Sequence, residues 1–170
     1  LCPFDVMLSV GSKLATSLSD RVRTRMCPNV VHGYGATEGN PVAGAYVHQT
    51  AHIKGAVGYI TPGMIVQAVD DNGKIRAPGT EGHIRFRGDR CVSGYVGNPP
   101  GSEKFFRDGW FYPGDIGAVT TDGLLILTGR SKNIIDLGGD KINPETIESV
   151  LLSCPGVVHA VAFGRANPLG

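Results

Sequence analysis

Apolar and polar positions fall into three textures along the 170 residues. In the first, Leu1 to about Thr50, "FDVMLSV" is a short unbroken apolar run ending at Gly11, which suits a strand buried on both faces. Leu14, Leu18, Val22 and Met26 then recur every fourth residue with Arg21, Arg23 and Arg25 between them. That spacing predicts an amphipathic helix stopped before Pro28. "NVVH" reads as the next strand. Two strands joined by a helix of this length form most simply a right-handed parallel crossover, the end of a parallel α/β layer.

The second texture, residues 51–130, alternates with period two in "GYITPGMIVQAV", "EGHIRFRG" and "LLILTG". Turn signals separate these runs: "DDNGK", "APGTEG" and "TTDGL". Such regularity predicts antiparallel hairpins in a small barrel-like subdomain or sandwich. "DDNGK" lacks the spacing and closing glutamate of a calcium loop and reads as a hairpin turn.

The third texture, residues 131–170, begins with "NIIDLGG", a strand ending in two glycines. Asn143 caps a predicted helix whose first position is Pro144, with Ile147, Val150, Leu151 and Cys154 on one face. "VVHAVAF" is expected to begin a further strand. One helix and two strands cannot bury a satisfactory core, so this unit is expected to be the start of an α+β C-terminal domain. The fold class is therefore α/β plus β, in three units: 1–50, 51–130 and 131–170.

Composition removes some classes of function. Sixteen basic against fifteen acidic residues leave a net charge of +1, which gives no support for nucleic acid as a partner. No apolar stretch is long enough to span a bilayer and no signal-peptide pattern opens the chain, so a cytoplasmic location is expected. Cys2, Cys27, Cys91 and Cys154 are widely spaced and read as plain thiols, not a zinc or disulfide framework. Oligomeric state leaves no mark on the sequence.

Three stretches carry candidate chemistry. "GYGATEG" (Gly33 to Gly39) combines backbone N–H groups, the Tyr34 ring, the Thr37 hydroxyl and the Glu38 carboxylate. Those groups suit a nucleoside phosphate with a divalent cation: a ring to stack on a base, a hydroxyl and amides for phosphate, a carboxylate for magnesium. A tight strand-to-loop turn would use the same glycines, and on the residues alone both readings stand. In "DGWFYPGDIG", Asp115 can accept hydrogen bonds from vicinal ribose hydroxyls or simply organise its own turn. In "TGRSKNIIDLGGDKINPETIE", Arg130 and Lys132 stand where two folding units meet, as plain solvated charges or as part of a hinge, and on the residues alone both readings stand.

Taken together and in order, these stretches resemble the adenylate-forming superfamily: acyl- and aryl-CoA synthetases, firefly luciferase and the adenylation domains of peptide synthetases. "YGATE" is similar to that family's Y-G-x-T-E, "YPGDIG" to its Y-x-T-G-D-x-G, and "GRSKNIIDLGGDKINPETIE" to its long hinge signature. The resemblance covers essentially the whole chain. It implies that Tyr34 stacks on adenine, that Thr37 contacts the α-phosphate and that Glu38 binds magnesium. Gly11, Ser12 and Gly35 would line the nucleotide pocket, while Asp115 and Arg130 would hold ribose. Lys132 would be the hinge, and Gly138 and Gly139 would approach coenzyme A.

The implied reaction consumes a carboxylic acid, ATP and coenzyme A, with magnesium. Pro113 departs from the family's threonine and removes a backbone donor and a hydroxyl. The family's phosphate loop and its catalytic Gly-Lys segment are not among these residues, so the 170-residue chain alone is expected to be inactive. Two other readings stay open: a non-catalytic AMP/ATP-binding module and an adenylation domain loading a carrier protein. A β-rich interaction domain without a ligand is a third.

Overall fold

The computed structural model describes residues 4–12, 14–137 and 140–165. Strand β1 (Met7–Ser9) runs parallel to β2 (Val30–Ala36), with Met7 opposite Val30 and Ser9 opposite His32. Helix α1 (Thr16–Arg25) connects them and ends as expected just before Pro28, with Arg23 and Arg25 in its last turn beside the carbonyl end of the dipole. Its buried face differs from the expected one. Leu14 and Val22 are half-buried, but Leu18 and Met26 face outward and Ser19 is the residue buried completely. The fourfold spacing places the apolar stripe one residue off the side that actually packs.

The second strand does not stop at His32. Its glycines continue as strand through Ala36 and turn at Thr37–Gly39 into an antiparallel partner, β3 (Asn40–Tyr46), with a register shift between Tyr34 and Gly35. A Cβ on Gly35 would lie 2.2 Å from the Asn40 carbonyl oxygen, so the hairpin closes only on a glycine. A short helix, α2 (Val47–Thr50), leads to β4 (Ala56–Ile60).

The hairpins of the second texture then follow. They are β5 (Met64–Val69), β6 (Gly82–Gly88), β7 (Phe106–Arg107), β8 (Trp110–Phe111), β9 (Asp115–Val119) and β10 (Leu124–Arg130). The turn at Asp70–Lys74 is organised by the Asp70 carboxylate, which accepts from the N–H groups of Asn72 and Lys74. "GYITPGMIVQAV" is two strands, broken where Met64 donates to the Thr61 carbonyl around Pro62 and Gly63.

All ten strands belong to one mixed sheet ordered β1-β2-β3-β4-β10-β9-β6-β8-β7, with β5 on β6. The sheet has open ends at β1 and β7, so the strands do not close a barrel among the described residues. It does bend over itself. Val42 of β3 shares one buried cluster with Val66, Ile84 and Phe86 of β5 and β6, although β4, β10 and β9 separate β3 from β6 in the sheet.

Beyond Arg130, β11 (Ile135–Leu137) and β12 (Asp140–Ile142) form a separate antiparallel pair, followed by α3 (Pro144–Leu152). Asn143 caps α3 as expected, its side-chain oxygen accepting from the Glu145 N–H at 3.0 Å. The expected apolar face is present but uncovered, with Ile147, Val150 and Leu151 exposed. "VVHAVAF" forms no strand: no ladder partner lies beside it among the described residues, and Val158, Val161 and Phe163 are exposed. Without a neighbour, β propensity alone does not make a strand.

Candidate functional site

Asp115 opens β9 and Arg130 closes β10, and the ladder sets them directly opposite each other. That pairing depends on an irregularity between Leu127 and Gly129, which shifts the register at the end of the hairpin. Arg130 Nε lies 3.0 Å from Asp115 Oδ1, and the Tyr34 hydroxyl donates to Asp115 Oδ2 at 2.5 Å. Residues 34, 115 and 130, far apart in the chain, thus meet on one carboxylate.

Asp115 is only 4% exposed, whereas the Arg130 side chain is 66% exposed. A buried carboxylate needs partners, and this one has both oxygens engaged. The turn before β9 is held in turn: Gly114 has φ of 85°, and its carbonyl accepts from both the backbone N–H and the hydroxyl of Ser131. That link fixes the start of β9 to the segment that follows Arg130. Burial pushes the Tyr34 hydroxyl far above its ordinary range, and the charge and hydrogen bond of Asp115 push the same way; Arg130 opposes them more weakly. Tyr34 therefore stays a donor. His32 nearby is shifted the opposite way, its imidazole pKa lowered by burial.

These groups line a cleft of about 730 Å³. Gly11, Ser12, Tyr34, Gly35, Asp115 and Arg130 all border it. Gly11 and Ser12 reach it because they follow β1, which is parallel to β2, so both strands end at the same edge. The cleft mixes an aromatic ring, exposed backbone, an acid and a guanidinium, a set that can hold a planar base beside a polyhydroxylated ring. A second cavity of about 790 Å³ lies beside it, lined by Asp70, Arg76, His83 and Asn143 among others and sharing Lys54 and Glu145 with the first. It contains none of the expected site residues.

The remaining candidates lie elsewhere. Thr37 and Glu38 occupy the tip of the β2–β3 hairpin and do not border the cleft. Lys132 sits exposed in the short 3₁₀ turn after β10, its Nζ 5.4 Å from the centre of the Phe105 ring. Gly138 and Gly139 lie outside the described residues. One residue with no signal in the sequence reading joins the set: Tyr95 donates to Glu38 Oε1 at 2.6 Å. Its position 57 residues downstream explains why local motif reading passes it over.

Residues 3–96 match the family described as AMP-binding enzyme. The chain belongs to that family. It is 35% identical over 162 residues to a probable CoA ligase of Humulus lupulus, and 34% identical over 158 residues to an oxalate–CoA ligase of Arabidopsis thaliana. Each match covers 92% of this chain and 30% of the relative, so the chain spans about a third of the length of the curated relatives it matches. The fold is similar to that of an o-succinylbenzoate–CoA synthetase of Bacillus subtilis solved with ATP and a magnesium ion. The TM-score is 0.82 at 26% identity, covering 96% of this chain and 34% of the other. Among the described residues no helix is long and apolar enough to cross a membrane.

Proposed function

We propose that this AMP-binding family member is part of an ATP-dependent acyl-CoA synthetase, and that its cleft holds the adenosine of ATP, of the acyl-adenylate and of AMP. The observation that carries the reading is the convergence of Tyr34, Asp115 and Arg130 on one carboxylate at the edge of a cleft bordered by Gly11, Ser12 and Gly35. The similar enzymes named as CoA ligases support the same class.

In this reading the oxygen of a substrate carboxylate attacks the α-phosphorus of ATP, and pyrophosphate leaves. The thiolate of coenzyme A then attacks the acyl carbon, and AMP leaves with the bonding electron pair. The protein contributes positioning and charge stabilisation, not covalent chemistry. Tyr34 presents its ring to the base while its hydroxyl steadies Asp115. Asp115 accepts from the ribose hydroxyls, and Arg130, pinned to Asp115, closes the ribose side. Thr37, at the hairpin tip beyond the cleft lining, would contact the α-phosphate.

A magnesium ion would be held at Glu38. Among the described residues no group of three or more acidic, histidine or cysteine side chains stands ready for a metal. One carboxylate fits magnesium nonetheless, because that ion keeps several waters and takes the rest of its ligands from nucleotide phosphates. When bound, the ion would neutralise charge on the phosphates. Glu38 has one oxygen engaged by Tyr95, and among the described residues its other oxygen has no hydrogen-bond donor.

Lys132 and the segment around it form the hinge in this reading, with residues 1–50 ending the α/β part, 51–130 a β-subdomain that is barrel-like in the intact enzyme, and 131–170 the start of a mobile domain. Gly138 and Gly139 would approach the thiol substrate. A cytoplasmic location belongs to the same reading.

Calorimetric titration with AMP tests the reading. Asp115→Ala should weaken AMP binding by at least about tenfold, the loss expected when charge-assisted hydrogen bonds are removed. Unchanged affinity would remove Asp115 from the site. Pyrophosphate exchange with a panel of carboxylic acids, in protein extended at both ends, separates an enzyme from a silent nucleotide binder.

A further inference from the structure

Glu38 sits at a hairpin tip, where a glutamate ordinarily samples several rotamers in water. Here it is held from three directions. The Val92 N–H donates to its backbone carbonyl at 2.9 Å. The following residue, Gly39, is buried against the fully enclosed Phe86 ring, which lies where a side chain at position 39 would have to go. The third hold is on the carboxylate itself, through the Tyr95 hydroxyl at 2.6 Å.

Tyr95 is a rigid donor because its ring is clamped. Phe106 meets it edge-on at 5.0 Å between centroids and Phe105 at 6.2 Å. Phe106 packs on Phe111 at 5.0 Å, and Phe111 packs on Phe86 at 5.2 Å. The same aromatic chain therefore ends under Gly39 at one side and at the Tyr95 hydroxyl on the other. Turn backbone and carboxylate are mounted on one support, the buried face of β6 and β8. Aromatic contacts of this geometry add stabilisation beyond simple burial.

We propose that Tyr95 is a positioning residue: by fixing one oxygen of Glu38, it aims the other at the magnesium of the bound nucleotide and so sets the affinity for the magnesium complex of ATP. The proposal rests on the reading of Glu38 as the magnesium ligand. Partners of metal-ligating carboxylates typically change metal affinity by about 10- to 100-fold when lost.

Tyr95→Phe tests it, since the ring and its edge-on contacts survive and only the hydroxyl goes. Calorimetry is run with AMP alone, and with ATP across a magnesium series. The expected result is an unchanged AMP affinity, an unchanged melting temperature, and a loss of roughly tenfold or more in affinity for ATP with magnesium. The magnesium concentration giving half the effect should rise in parallel. In a Glu38→Gln background the Tyr95→Phe change should add nothing further, because it acts through that carboxylate. The proposal is overturned if Tyr95→Phe leaves the magnesium dependence unchanged, or if AMP and ATP weaken together, which would make Tyr95 structural. It is equally overturned if magnesium does not strengthen ATP binding by the unsubstituted chain. Absence of AMP binding in the unsubstituted chain would instead remove the nucleotide reading itself.

Discussion

At the scale of single residues, Asp115 sets the character of the site. A carboxylate this buried is tolerable because Tyr34 and Arg130 each satisfy one oxygen. Both partners also face the cleft, so the pairings that stabilise Asp115 are the same ones that shape a binding surface. The coupling makes Tyr34 testable through pH. Its phenol is shifted upward from the ordinary value of 10 by burial first and by Asp115 second. The folded chain therefore holds this proton more tightly than the unfolded chain does. That contribution is complete below about pH 10, the unfolded value, and is lost as pH rises above it. Urea unfolding at neutral pH and at high pH should show the unsubstituted chain losing more stability than Tyr34→Phe. Parallel losses in the two proteins would mean that Tyr34 is not the group responsible.

At the scale of elements, close approach decides where glycine is required. Gly58 in β4 has φ of 125°, and a Cβ there would lie 2.2 Å from the backbone of Gly44 in β3. Backbone cannot yield, so Gly58→Ala should cost about 2–4 kcal/mol by chemical unfolding. Gly123, at φ of 81° in the β9–β10 turn, meets nothing within 4 Å; Gly123→Ala should cost only about 1 kcal/mol. Equal costs would mean that conformation alone, not the strand contact, governs both.

Asn143 divides into two functions as well. Its oxygen caps α3, while its Nδ2 donates to the Thr128 carbonyl, tying α3 to the end of β10 across the β11–β12 pair. Asn143→Asp keeps the cap and loses the tie, so hydrogen exchange should quicken through residues 131–137 and 140–142 while α3 stays protected. Asn143→Ala should also destabilise the helix, by about 1 kcal/mol. Exchange that quickens equally in α3 for both variants would show that only the cap matters.

Much at this scale was readable beforehand. Pro28 and Asn143–Pro144 mark helix ends through backbone chemistry, and "TTDGL" marks its hairpin through a turn that few residues can make. The strand character of Gly33–Ala36 was not readable, because it depends on pairing with Asn40–Tyr46, and glycine carries no local strand signal. The outward faces of Leu18 and Met26 likewise follow from what the helix packs against, which spacing cannot reveal.

At the scale of the molecule, the hairpins belong to one sheet with the strands before them, and that sheet does not close on itself among the described residues. Hairpins report their own pairing, but the joins between β4 and β10 and between β6 and β9 link residues distant in sequence and leave no periodic trace. The candidate site fared differently. Tyr34, Asp115 and Arg130 were marked by the family resemblance of the motifs that hold them, and the sheet brings them together because β9 and β10 pair and β2 reaches the same edge of the cleft. Tyr95 was invisible for the same reason as the sheet joins: its importance lies in a contact, not in a pattern. The most direct measurement of whether this assembly binds adenosine is a crystal structure of the chain grown with AMP. The base should lie against the Tyr34 ring with both ribose hydroxyls within hydrogen-bonding distance of Asp115. AMP bound in the cavity beside Asp70 and His83, with Tyr34 and Asp115 untouched, would contradict the account.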